Sequence, residues 1–180
     1  GMHRGAGSVQ TLTAADAEAI RRECPAIKWV SPMVGSTVNV VFGNRNWATR
    51  AEGVSEHFPD IRNWTTETGA FFAEADVRTA ARVAVLGRTV ADQLFQGVDP
   101  EGQTIRVRNL PFRVLGVLSR KGQNQWGRDQ DDTLVVPYTT VQKKLSSSTM
   151  WVNGIMVSAV SSRAGYTAEQ QVGELLRQRH

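Results

Sequence analysis

The run from Val83 to Asp132, VAVLGRTVADQLFQGVDPEGQTIRVRNLPFRVLGVLSRKGQNQWGRDQDD, constrains the fold more than any other part of the chain. Val83 to Leu86 reads as a short buried strand. Val90, Ala91, Leu94 and Phe95 then recur at helical spacing until Gly97 and Pro100 stop the helix. Ile105 and Val107 alternate with Arg106 and Arg108, which predicts a strand with one wet face. Phe112–Leu118 is apolar on both faces apart from Arg113, so it reads as a central strand, paired to the first through a turn at Asn109-Leu110-Pro111. A polar loop, 119–132, closes the run.

The flanks carry weaker signals. Thr13-Ala-Ala-Asp16 matches a capping box, with Ala17, Ile20 and Cys24 on one helical face and Pro25 as the stop. Val38, Val40 and Phe42 predict a strand, Gly43–Asn46 a turn, and Trp47–Val54 the returning strand. Residues 55–81 mix aromatics, acids and turn formers. They allow a short helix near Glu56, with Phe71 and Phe72 plugging a core. Thr133–Val136 reads as a strand ended by Pro137, Tyr138–Leu145 as a short helix, and Ser146-Ser147-Ser148 as a flexible link. Trp151–Val160 reads as a strand with a turn or bulge at Asn153-Gly154. Ala168, Val172, Leu175 and Leu176 form the stripe of a closing helix. Strands outnumber helices and are partly hairpin-linked, which argues an α+β fold.

Composition narrows the function classes. The chain has 180 residues, 41% hydrophobic and 21% charged, enough to bury a core. The net charge of +4 is spread along the sequence, which argues against nucleic acid as a partner. One cysteine, Cys24, excludes a disulfide scaffold and a cysteine zinc site. No apolar run is long enough to span a bilayer.

Enzyme signatures are absent: no G-x-S-x-G, no P-loop, no H-E-x-x-H and no G-x-G-x-x-G after a strand. His57 is the one histidine away from the chain ends, and it reads as a surface residue. Asp129, Asp131 and Asp132 could offer oxygens to calcium, but the turn glycine and distal glutamate of an EF-hand loop are missing. They read instead as braces for the loop. Glu67, Glu74 and Asp76 form no convincing acid–base pair. Neither a catalytic centre nor a metal or cofactor site is expected.

Among the five tryptophans, Trp29, Trp47 and Trp151 fall on predicted strands, where core packing is expected. Trp64 and Trp126 fall in loops and are the candidate binding anchors. Gln123, Asn124, Gln125 and Arg128 surround Trp126 and join it as candidate partner contacts; a Trp126 folded back over the core is the alternative. Asn63-Trp64-Thr65 also matches a glycosylation sequon.

From about Leu12 to His180 the chain resembles the extracytoplasmic core domain of MacB/FtsX-type ABC transporter permeases. The pieces that carry this are Leu12-Thr13 with Asp16 and Ile20-Arg21-Arg22, Val30-Ser31-Pro32, VAVLG (83–87), DPEGQTI (99–105), PFRVLGVL (111–118), KGQNQWGRDQDD (121–132), VPYTT (136–140) and LLRQRH (175–180). Their order and spacing, rather than any single piece, carry the specificity.

The resemblance implies a two-lobed domain. A membrane-proximal porter-like α/β lobe would come from both chain ends, 9–50 and 133–180. A membrane-distal mixed lobe, 51–132, would be inserted between them. Residues 1–8 read as linker, Gly1 ahead of Met2 resembling a protease scar. The implied location is the periplasmic side of a bacterial inner membrane, between two transmembrane helices of the permease. The implied role is coupling cytoplasmic ATP hydrolysis to export without catalysis in this domain. The implied partners are those helices, an ABC ATPase domain or subunit, a periplasmic adaptor, an outer-membrane channel and a second permease in a homodimer. A periplasmic ligand-binding module for a lipid, peptide or drug, with a pocket at Phe71 or Phe72, and a lipoprotein-release permease are the alternatives. A hydrolase would need a Ser or Asp beside His57. The basic ending Arg177, Arg179 and His180 runs against the positive-inside rule for an outer helix end.

Overall fold

A computed structural model describes residues 2–3, 12–146 and 151–180. Its organising element is β2, Ile27–Phe42, a strand of 16 residues with two sets of partners. Its first half pairs with β9 (Gly154–Ala159), from Ile27↔Ala159 to Met33↔Gly154. Its second half pairs with β3 (Arg45–Val54), from Val34↔Gly53 to Phe42↔Arg45. Pro32, which has no N–H to give a ladder, lies beside this change of partner.

The second half of β2 belongs to a closed barrel. β2 pairs with β3, β3 with β8 (Leu134–Pro137), β8 with β5 (Val83–Leu86), β5 with β7 (Leu110–Leu118), β7 with β6 (Thr104–Val107), and β6 back to β2. Closure removes exposed strand edges. The interior is filled by Val38, Val40, Ala84, Leu86, Ile105, Phe112, Val114 and Leu134, capped from outside by Val90 and Leu94 of α4 (Arg88–Leu94). Full burial of side chains this size contributes about 1.5–3 kcal/mol each. β7 is central, as its two-faced apolar pattern predicts. β5 covers one stretch of it, with β6 and the short β4 (Thr66–Gly69) pairing along others.

A second core lies at the first half of β2. There α1 (Ala14–Glu23) and α6 (Gly165–Arg179) pack through Ala19, Ile20, Val172 and Leu176 against Ile27, Val30 and Ile155. A third lies between the two, where Val54, Phe58, Trp64, Phe72, Leu118 and Met156 meet. Buried Ser31 fastens this junction. Its Oγ donates to the Pro32 carbonyl and accepts the Ser55 N–H at 2.9 Å. The boundaries expected near residues 50 and 133 fall within β3 and just ahead of β8. The barrel core runs through both, joining Val34–Ala51 to Ala84–Leu145.

The capping box forms in full. Thr13 Oγ1 accepts the Asp16 N–H, and Asp16 accepts the Thr13 N–H. The predicted four-residue turn after β2 is a tight connection with Gly43 at φ 59°. The turn between β6 and β7 lies one residue earlier than expected. Arg108 and Asn109 occupy it with φ of 50° and 64°, the pair of left-handed residues a two-residue hairpin turn requires, and Pro111 stands inside β7. The segment left open by the sequence holds α2 (Phe58–Arg62), β4 and α3 (Glu74–Arg78), with Phe72 buried and Phe71 stacked over Phe58.

Downstream of β8, α5 (Tyr138–Thr140) runs into a π-helical turn, Val141–Leu145, where a plain helix was expected. The strand predicted from Trp151 begins at Gly154. Of the expected linker, Met2–His3 form β1 against Met156 and Ile155 of β9. The rest of that linker, and Ser147-Ser148, lie outside the described residues.

Candidate functional site

The two loop tryptophans separate. Trp64 is 4% exposed, packed into the third core, with its indole N–H donating to the Ser119 carbonyl at 2.7 Å. It is a core residue and cannot be a docking anchor: α2 and β4 fold its loop onto the sheet. Trp126 is 80% exposed, so the folded-back alternative is corrected too. Neither Trp29 nor Trp151 is the core residue expected. Trp29 is half-buried and stacked on His57 at 4.4 Å, and Trp151 is 40% exposed beside an isolated bridge to Thr13.

Trp126 stands on a loop held by a dense set of hydrogen bonds. Gln123 bridges to Asp129. The Asn124 side-chain oxygen accepts the N–H groups of Trp126 and Arg128, at 2.9 and 3.0 Å, and the Asn124 N–H donates to the Arg128 carbonyl. Gly122 and Gly127, with φ of 86° and 75°, make the reversals. Gln125, Trp126 and Arg128 are left exposed at the tip.

The aspartates brace this loop. Asp131, 1% exposed, accepts the N–H groups of Lys121 and Gly122 at 2.8 and 2.9 Å. Asp129 accepts the Asp131 N–H and the Thr89 hydroxyl, at 2.9 and 2.6 Å. Asp132 accepts the Trp47 indole N–H and the Thr49 hydroxyl. The loop is thereby bolted to α4 on one side and β3 on the other. Gly87 makes the first bolt possible. Its N–H donates to Thr133, and a Cβ there would sit 2.1 Å from the Asp131 carbonyl oxygen. Sequence reasoning missed Gly87, Thr89 and Trp47 as supports; the glycine closing VAVLG was the available signal.

Lys121 fastens the other root. Its ammonium donates to the Arg62 carbonyl and lies 5.0 Å from the Trp64 ring. Burial and nearby Arg62 lower its pKa.

The acid–base candidates of the sequence are engaged structurally. His57 lies 3.5 Å from Glu56 and 3.8 Å from Asp60. The neighbouring Ser55 hydroxyl is buried, directed at the Val30 carbonyl, and accepts the His57 backbone N–H, so it is not presented to the imidazole as a nucleophile. Glu67 pairs with Arg88, Glu74 with Arg78, and Asp76 caps α3 at the Ala73 N–H. Cys24 is buried, its thiol pKa raised by that burial and by Glu23. A depression on the surface is lined by Gly69, Ala70, Glu101, Gly102 and Arg113. Phe71 and Phe72 pack into the third core, as expected, and do not form the pocket of the alternative ligand-binding reading.

The basic ending is also engaged. Asp16, 1% exposed, accepts from Arg179 Nε at 2.7 Å and lies 2.9 Å from His180 Nε2, tying the first helix to the last. Burial acts to raise the Asp16 pKa, but the Arg179, His180 and Thr13 hydrogen bonds outweigh it and hold the carboxyl below its ordinary value.

The family model described as MacB-like periplasmic core domain matches residues 1–175. The "Macrolide export ATP-binding/permease protein MacB" of Syntrophobacter fumaroxidans is 42% identical over 168 residues, covering 93% of this chain and 23% of that protein. The "Pyoverdine export ATP-binding/permease protein PvdT" of Pseudomonas entomophila is 36% identical, covering 97% of this chain and 26% of that protein. The chain thus spans about a quarter of these relatives. The crystal structure of the periplasmic region of MacB from Actinobacillus actinomycetemcomitans superposes with a TM-score of 0.85 at 27% identity, covering 99% of this chain and 82% of that one.

Proposed function

Since this chain belongs to the MacB-like periplasmic core domain family, the extracytoplasmic domain of MacB-like transporters, we propose that it couples and docks without catalysing. In this reading, ATP hydrolysis in a nucleotide-binding domain or subunit across the membrane moves the chain as a lever. The chain passes the motion to a periplasmic adaptor leading to an outer-membrane channel, and two permeases work as a homodimer. The lobe near the membrane comprises α1, α6, β9 and the first half of β2. The barrel is the distal lobe. This division keeps the two-lobed plan and moves its boundary to the middle of β2, where the hydrophobic cores change over.

The observation that carries the proposal is Trp126: a large aromatic, four-fifths exposed, on a loop braced by buried and half-buried carboxylates. An apolar side chain held out on a rigid support is preorganised for a partner, because little conformational entropy remains to be lost on binding. Gln123, Asn124, Gln125 and Arg128 form the polar rim of this contact, with Asn124 shaping the loop.

The test is co-purification of the adaptor with the full-length transporter, comparing wild type with Trp126→Ala. The proposal expects adaptor recovery to fall about tenfold or more, as for loss of a binding hot spot, while the melting temperature of the domain stays unchanged. Equal recovery would remove Trp126 from the contact.

A further inference from the structure

The outer surface of the barrel carries arginines on adjoining strands. Register fixes their places. Arg50 on β3 stands opposite Thr37 on β2; Arg106 on β6 stands opposite Val41 on β2 and Pro111 on β7; Arg113 on β7 stands opposite Thr104 on β6. Arg106 and Arg113 are therefore diagonal neighbours, about 7–8 Å apart at the backbone, within reach of one ligand for side chains of this length. Arg108, in the turn after β6, reaches back over β2. Its Nη2 donates to Ser36 Oγ at 3.0 Å and to the Thr37 carbonyl at 2.9 Å. The Arg50 guanidinium comes to the same place from the other side. It lies over Gly35, where a Cβ would sit 2.0 Å from Arg50 Nη2. All four arginines are exposed.

Three of the four have no carboxylate partner among the described residues. Glu52 pairs with Arg50 at 2.6 Å. Arg106, Arg108 and Arg113 make no ion pair among the described residues. Arg21, Arg78, Arg88 and Arg179 do, with Glu18, Glu74, Glu67 and Asp16, while Arg45, Arg62, Arg82, Arg128 and Arg163 also make none among the described residues. Three arginines without an ion pair thus share one side of the barrel with Arg50, on or beside adjoining strands.

The side chains also say what kind of anion fits. Guanidinium forks match carboxylates and phosphates alike in paired hydrogen bonds, so the surroundings must tell a protein segment from a lipid surface. Surfaces that settle on membranes combine cations with protruding apolar side chains. Val98, Trp126, Trp151, Val160 and Tyr166 are the large apolar residues exposed among the described ones, and none lies on β2, β3, β6 or β7. We propose that the Arg50–Arg106–Arg108–Arg113 side of the barrel binds an acidic protein segment, at a second contact separate from the Trp126 loop.

The experiment titrates this 180-residue chain into a fluorescent oligoglutamate peptide and follows anisotropy at low and high salt. Expected is binding that weakens with salt and falls about tenfold in Arg106→Ala/Arg113→Ala, through loss of charge-assisted contacts. Arg21→Ala/Arg177→Ala, which removes the same charge from the helical side, should bind like wild type. Unchanged melting temperatures would establish that both variants are folded. No binding, or equal loss in both variants, overturns the proposal. So does Arg106- and Arg113-dependent sedimentation with phosphatidylglycerol vesicles in the absence of peptide binding, which would make the surface a membrane contact.

Discussion

Two tryptophans with similar sequence surroundings have opposite roles, and burial separates them. Trp64→Ala removes a buried indole and leaves the Ser119 carbonyl without its donor. We expect a loss of about 3–5 kcal/mol in urea unfolding. Trp126→Ala should change stability by less than about 0.5 kcal/mol, as for other exposed positions. Asp16 makes a third residue-scale case. Its carboxylate caps α1 and holds Arg179 and His180, so Asp16→Asn should cost about 2–3 kcal/mol, reduced from a fully buried pair because both partners are partly exposed. Its folded pKa lies below the unfolded value. The stabilisation is therefore complete above the unfolded carboxylate pKa, about 3.9, and is lost as pH falls through the lower folded value. Urea midpoints measured from pH 6 down to about pH 2 should converge for wild type and Asp16→Asn at the acid end. A constant gap across that range would contradict the tie.

At the scale of elements, what sequence could reveal depended on how local the determinant was. The capping box, the two-faced β7 and the stripe of α6 rest on side chains a few residues apart, so they were legible. The turn at Arg108-Asn109 was not, because arginine at positive φ is unfavourable and is compensated by bonds to Ser36 and Thr37 from a distant strand. Residues 55–81 form short elements stabilised by packing against β7 and β5, contacts invisible in a local window. The Trp126 loop was legible as a candidate, but its bracing by Thr89, Trp47 and Gly87 was not. Gly87→Ala tests that bracing. Its Cβ would strike the Asp131 carbonyl, so a loss of about 1–3 kcal/mol is expected. Amide exchange should quicken at Gly122–Asp132; unchanged exchange there would show that the loop does not need this contact.

Across the whole molecule, a closed barrel and a helical layer share one long strand. β5, β7 and β8 are paired on both edges and largely buried, whereas α1 and α6 each present an open face. Hydrogen exchange should therefore be slowest in those strands and faster in the two helices. The reverse order would place the stable unit at the chain ends. In the proposed function, the shared strand β2 is the element that passes a displacement at the helices on to the barrel. The most direct measurement of that claim is the ATPase rate of the full-length transporter in liposomes, with and without its periplasmic adaptor. The account predicts that the adaptor stimulates the wild type, while Trp126→Ala keeps the basal rate and loses the stimulation. Equal stimulation of both would contradict docking through this loop.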